Sequence, residues 1–195
     1  LASGCWPFVK QRPYDVIANP DKSAKAIFVS AYASAPLVAD LDFVLQGKEA
    51  ELQAAVTALG KLTDGKVHVS VGKNSNSPLS GLTGIELHKV SGPHPSGNVG
   101  TQINKIDPVN KGEIVWTVNA QDLVIIGELL LTGKFNAERV VAMVGSSISN
   151  PRYFVTKIGS EVSTMIYTKG IEKEANVRII SGDVLSGKQV NPDGF

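Results

Sequence analysis

Apolar positions along the chain fall into short runs broken by glycine, proline and polar turns. The first, "AIFVSAYA" (26–33), has strand length and predicts a strand buried on both faces. "GKEAELQAAVTALGKL" (47–62) instead places Leu52, Ala55, Val56, Leu59 and Leu62 on one face of a helix. Glu49 and Glu51 fall in its first turn, where negative charge suits the exposed N–H groups. Residues 63–66 read as a turn, and "VHVSV" (67–71) as a second strand. A strand, a helix and a strand in that order form a βαβ unit, hence a parallel sheet with a right-handed crossover.

The pattern continues with a polar loop over 73–81, a strand over 85–90 and a glycine- and proline-rich loop over 91–101. A strand over 112–118 runs into the helix-like "NAQDLVIIGELLL" (119–131), capped by Asn119 or Asp122 and stopped at Thr132-Gly133. Residues 1–25, with Pro7, Pro13 and Pro20, read as irregular. Beyond Gly133 the style changes. Strands over 138–145 and 153–159 flank a turn at Ser149-Asn150-Pro151-Arg152, a short helix is expected over 160–166, and strand-like runs lie in "NVRIISG" (176–182) and "DVLSGKQV" (183–190). The expected fold class is α/β: a Rossmann-like parallel-sheet domain over 1–133, then a small β-grasp-like α+β domain over 134–195.

Composition narrows the function. The 195 residues are 43% hydrophobic and 19% charged, with a net charge of +1, so a globular core is expected and no basic face for nucleic acid. One cysteine, Cys5, forms no intrachain disulfide, and no Cys/His group has metal-ligand spacing along the sequence. A reducing compartment fits. The longest apolar run, Leu123 to Leu131, is far shorter than the roughly 20 residues of a membrane span. The start shows no signal peptide, and the absence of an initiator Met suggests a fragment.

The loop "SGPHPSGNVGT" (91–101) is the main candidate for chemistry. Gly92 and Gly97 have the spacing of a phosphate loop, but Asn98-Val99 stand where Lys and Ser or Thr would meet the phosphates and Mg²⁺. A dinucleotide fingerprint needs its glycines at the first strand–helix junction, and "SAYASAPLVADL" (30–41) has none. The loop is therefore read as structural first, with Gly97 expected at positive φ. His94, Ser96, Gly97, Asn98, Gly100 and Thr101 are the candidate ligand or partner contacts. His68 and His88 sit in strand patterns and read as ordinary strand residues. Asp40 and Asp42 follow a strand end, where they read as helix caps more than as ligands. Ser146-Ser147 lack a nucleophile elbow. Cys5, Trp6 and Trp116 read as core. No catalytic residue and no metal ligand is assigned.

Several ordered segments resemble one family. "LASGCWPFVKQRPYD" and "SGPHPSGNVGTQINKIDPV" resemble stretches of NqrA, a soluble-type subunit of the sodium-translocating NADH:quinone reductase (Nqr). His94, Pro95, Ser96, Gly97, Gly100, Thr101, Asp107, Pro108 and Val109 carry the second likeness, and "GEIVWTVNAQDLVIIGELLLTGKFNAERVVAMVG" continues it. The RnfC family of Rnf-type electron-transport complexes is the nearest confusable one, but it carries Cys clusters for iron–sulfur centres. The resemblance implies a fold like the flavin- and NADH-binding subunit of respiratory complex I with its flavin and cluster sites lost, followed by a soluble-ligand-binding β-grasp (SLBB) domain. "VVAMVGSSISNPRYFVTKIGS" fits that second domain, with Arg152 where glycine is common. It further implies a middle fragment of a peripheral protein on the cytoplasmic face of the bacterial inner membrane. Other Nqr subunits, some membrane-embedded, are the implied partners; ubiquinone is the ligand of the intact complex, and no cofactor is held by the fragment itself. Two other readings stand beside it: a stand-alone nucleotide- or flavin-dependent oxidoreductase, and a soluble-ligand-binding SLBB module.

Overall fold

A computed structural model describes residues 1–167, 177–191 and 193. They form two compact units, one of residues 1–34 and 40–136, the other of residues 35–39 and those from 137 onward.

In the first unit β3 (Ile27–Ala31), β4 (Val67–Gly72), β5 (Glu86–Val90) and β6 (Val115–Asn119) are parallel. Two earlier strands, β1 (Lys10–Arg12) and β2 (Val16–Ile17), add an antiparallel hairpin beside β6. The sheet is thus six-stranded, in the order β2-β1-β6-β3-β4-β5. This hairpin corrects the expectation of an irregular start. Its strands have three and two residues and flank Pro13, which sits in the turn where its missing N–H costs no ladder bond. The preceding 3₁₀ turn, Trp6–Phe8, sets Trp6 edge-on against Trp116 at 5.5 Å, and the Trp6 indole N–H donates to the Ala18 carbonyl. Cys5 is buried, and burial pushes its thiol pKa up, consistent with a packing role.

Helices cover both faces. α1 (Leu41–Val44) is capped by Asp40, whose carboxylate accepts from the Asp42 and Phe43 N–H groups. Asp42 in turn accepts from the Ser75 hydroxyl at 2.6 Å and the Asn76 N–H at 3.0 Å, fastening the loop after β4. α2 (Glu49–Leu59) buries Leu52, Ala55, Val56 and Leu59. Leu62 lies past its end and is 40% exposed, unlike the expectation that put it on the buried face. α4 (Ala120–Thr132) follows β6 without a connecting residue and ends at Gly133, whose φ of 73° is left-handed as a helix stop requires. α2 and α4 share one apolar cluster with β3, β4 and β6. On the opposite face Ala26, Phe28 and Val115 meet α3 (Val99–Ile106) through Ile103. This helix begins inside the stretch expected to be loop, with Val99, Ile103 and Ile106 facing the sheet.

At the opposite end of α3, the Lys25 ammonium pairs with Asp107 at 2.6 Å and Glu113 at 3.0 Å. The Asp107 and Glu113 hydrogen bonds raise the Lys25 pKa, and the Asn110 N–H followed by Lys25 lowers that of Glu113 below 4.5. The contribution of Glu113 is thus present above the ordinary carboxylate range and lost as pH falls through its lowered value. That of Lys25 is present below the ordinary ammonium value and lost only as pH rises through the raised one. Glu113→Gln is expected to flatten the fall of the thermal midpoint below pH 4.5 while changing the neutral-pH midpoint little, as scanning calorimetry across pH will read.

In the second unit β7 (Glu138–Met143) and β8 (Arg152–Lys157) form an antiparallel hairpin. β8 alternates half-buried and exposed residues, the mark of a sheet with one open face. Arg152 is the first residue of this strand rather than part of the turn, and its guanidinium lies over the Phe154 ring. α5 (Ser163–Tyr167) takes the place of the helix expected over 160–166. β9 (Ile179–Ser181) pairs with β10 (Lys188–Val190), as the two closing strand-like runs predict; Asn176 lies outside the described residues.

Candidate functional site

Open parallel sheets bind ligands beyond the carboxyl ends of their strands, where the chain order reverses. Here β3 has β4 on one side and β6 on the other, so that place lies above β3. Two loops fill it, the exit from β3 (Tyr32–Ser34) and the loop after β5. The Tyr32 hydroxyl donates to the Gly92 carbonyl at 3.1 Å, and its ring lies over Gly72 at the end of β4. Ser34 Oγ accepts from the Gly97 N–H at 2.8 Å and stands 3.3 Å from His94 Nδ1. Side chains of the chain itself therefore occupy the space that a dinucleotide pyrophosphate takes in a sheet of this order.

The six sequence candidates separate into two groups. Ser96 is buried and donates to the Gly92 carbonyl at 2.8 Å, while its own carbonyl accepts from the buried Gln102 side chain. Gly97 does not have positive φ, contrary to expectation. Glycine is needed there because an added Cβ would lie 2.3 Å from the Ser34 nitrogen and 2.9 Å from the Ala33 carbonyl carbon. Gly100 and Thr101 lie in the first turn of α3, where a Cβ on Gly100 would meet the Arg12 guanidinium at 3.0 Å. These four hold the loop together. His94 and Asn98 are the exposed members, and Asn98 occupies the N-cap position of α3 without a side-chain cap bond.

A second constellation lies at the edge strand. His68 on β4 is opposite Glu86 on β5, and His88 follows Glu86 by two residues, so the three share a face. His68 Nδ1 and His88 Nε2 are 3.0 Å apart. His68 is 8% exposed and its ring stacks on Phe28 at 4.7 Å. Burial, with the neighbouring His88 second, lowers its pKa, so the ring is neutral at pH 7. Sequence spacing conceals this group, since twenty positions separate the two histidines and only strand register joins them. The one signal is Glu86 and His88 at a separation of two in a strand.

Comparison with known proteins settles the family. The family model described as "NqrA second alpha/beta domain" matches residues 1–135, and the SLBB-type "NQRA C-terminal domain" matches residues 140–191. The chain belongs to the NqrA family. Its relatives include the NqrA proteins of several bacteria, each named as part of a Na(+)-translocating NADH-quinone reductase. That of Neisseria meningitidis is 38% identical over 187 residues, covering 96% of this chain and 41% of the relative. That of Saccharophagus degradans is 37% identical over 189 residues, covering 97% and 42%. That of Pasteurella multocida is 36% identical over 186 residues, covering 95% and 41%. The chain thus spans about two fifths of the length of the curated relatives it matches. Among the described residues no helix is long and apolar enough to cross a membrane.

Proposed function

We propose that the chain is the central part of the NqrA component of a sodium-pumping NADH:quinone reductase, and that it works without a redox group of its own. It would supply contacts to the other subunits, including membrane-embedded ones, from the cytoplasmic face of a bacterial inner membrane. The observation that carries this reading is the NqrA-family match over both domains, combined with a carboxyl sheet edge filled by Tyr32 and Ser34 where glycines would cradle a pyrophosphate. Expressed alone, the chain is expected to purify without flavin and to leave NADH unoxidised with an artificial acceptor. Stoichiometric flavin would instead favour a stand-alone oxidoreductase.

His94 is the residue through which the loop would reach ubiquinone. The Gly97 N–H already donates to Ser34 Oγ, so the Ser34 hydroxyl proton is directed at His94 Nδ1. The ring proton then sits on Nε2, an exposed donor suited to a quinone carbonyl. In the assembled complex, His94→Ala is expected to raise the KM for ubiquinone about tenfold, the effect of losing roughly one hydrogen bond of 1.4 kcal/mol. The complex should still assemble, read by co-purification of the other subunits. If both assembly and quinone kinetics are unchanged, the loop has neither role.

A further inference from the structure

We propose that His68, Glu86 and His88 form a binding site for a divalent transition-metal ion of the zinc class, which fastens edge strand β5 to the interior of the sheet. One ligand atom from each residue lies within 4.8 Å of the other two. Two nitrogens bound to one tetrahedral ion at about 2.0–2.1 Å stand about 3.3 Å apart, and nearer 2.9 Å at a right-angled geometry. The observed 3.0 Å between His68 Nδ1 and His88 Nε2 falls within that interval, so the rings are already placed to share an ion.

The surroundings favour preorganisation. His68 is held by its stack on Phe28, which is itself 1% exposed and pinned beneath α3. Its ring orientation is thus fixed before any ion arrives, the condition that supporting groups normally supply at metal centres. Glu86 is exposed and can turn to the ion; its present partner is the exposed Lys66 ammonium at 3.5 Å, a pair that is weakly held in water. Two imidazoles and a carboxylate suit zinc, cobalt, nickel or copper, and disfavour magnesium and calcium, which prefer all-oxygen shells. Three protein ligands leave a fourth position for solvent. The cluster sits toward the amino ends of β4 and β5, with His68 second in its strand and Glu86 first, and so lies away from the loop carrying His94.

The ion would bridge two strands that are otherwise joined only by backbone pairing and their shared face. A ligand that binds the folded chain alone raises its stability in proportion to the logarithm of its concentration. The test is titration of the tag-free, metal-stripped 195-residue chain with zinc chloride against a chromophoric chelator, with thermal midpoints measured in parallel. One zinc per chain is expected, with a midpoint that rises with zinc and does not respond to magnesium. His88→Ala, on the edge strand, should weaken zinc by more than about tenfold, since even an outer-shell partner's removal commonly costs that much. Glu86→Gln, at an exposed position that keeps the fold, should weaken it by several-fold and remove the zinc-dependent rise in midpoint. Cobalt(II) should give visible absorption in the parent chain and lose it in His88→Ala. Zinc affinity equal in the parent and His88→Ala, or no zinc bound above the chelator's competition, overturns the proposal and leaves the pair as a hydrogen bond between two imidazoles.

Discussion

Replacing Gly127 by Ala is expected to destabilise the chain by more than about 3 kcal/mol, the upper end of ordinary overpacking. In an unconstrained helix interior the same exchange stabilises by roughly 1 kcal/mol, because alanine has less backbone freedom to lose. The opposite sign is expected here because Gly127 lies in the middle of α4 against the backbone of α2. A Cβ at this position would lie 1.8 Å from the Glu51 carbonyl oxygen, 2.4 Å from its carbon and 2.7 Å from its Cα. These are main-chain atoms and cannot rotate away. α2 cannot retreat alone, because Leu52, Ala55 and Val56 beside Glu51 are almost fully buried against the sheet. The helices would have to separate and open voids in the core. At roughly 2–4 °C per kcal/mol for a chain of this size, the midpoint should fall by about 6–12 °C. Gly133→Ala gives the comparison, since its Cβ meets open space and only the left-handed φ of 73° is penalised, at about 1–2 kcal/mol. A Gly127→Ala midpoint equal to or above that of the parent would contradict the close helix contact.

The second large effect is expected at Gly97→Val, at about 2–3 kcal/mol. The Cβ alone would come within 2.3 Å of the Ser34 nitrogen and 2.8 Å of Ser34 Oγ. Relief requires the loop to move off the β3 exit, which breaks the Gly97 N–H bond to Ser34 and leaves the buried Ser96 to find new partners. Since the two closest backbone contacts remain when the Ser34 side chain is removed, Ser34→Gly should not restore stability to the valine variant. Chemical unfolding of the single and double variants tests this. A Gly97→Val chain with an unchanged midpoint, or one fully rescued by Ser34→Gly, would mean that the loop is not seated on the backbone.

The parts of the fold that the sequence makes legible are those whose burial is written in apolar periodicity. β3 and β4 are continuous apolar runs, and α2 carries Leu52, Ala55, Val56 and Leu59 at helical spacing. The start of the chain escapes because β1 and β2 are too short for a period to show and include no fully buried residue. α3 escapes for another reason. Its Val99, Ile103 and Ile106 are spaced for one face, but they follow two prolines and two glycines whose turn signal dominates the window. At the loop, the residue types point to a structural role, yet the cause at Gly97 is close approach rather than φ, which only a neighbouring strand exit can reveal. The histidine pair is hidden for the same reason: a contact across a parallel ladder depends on register, and register depends on strand order that no single segment specifies.

Tyr32 has a mechanical consequence. Cofactor-binding sheets of this order must admit and release their ligand through the very edge where the strands end, so their loops there breathe. In this chain the tyrosine spans the edge from β3 to the Gly92 carbonyl and closes it with a covalently attached plug. Nothing has to enter or leave between those strands, and the loop is relieved of acting as a door. Its exposed rim, carrying His94 and Asn98, can serve instead as a fixed bearing surface whose shape does not vary with the redox state of anything beneath it.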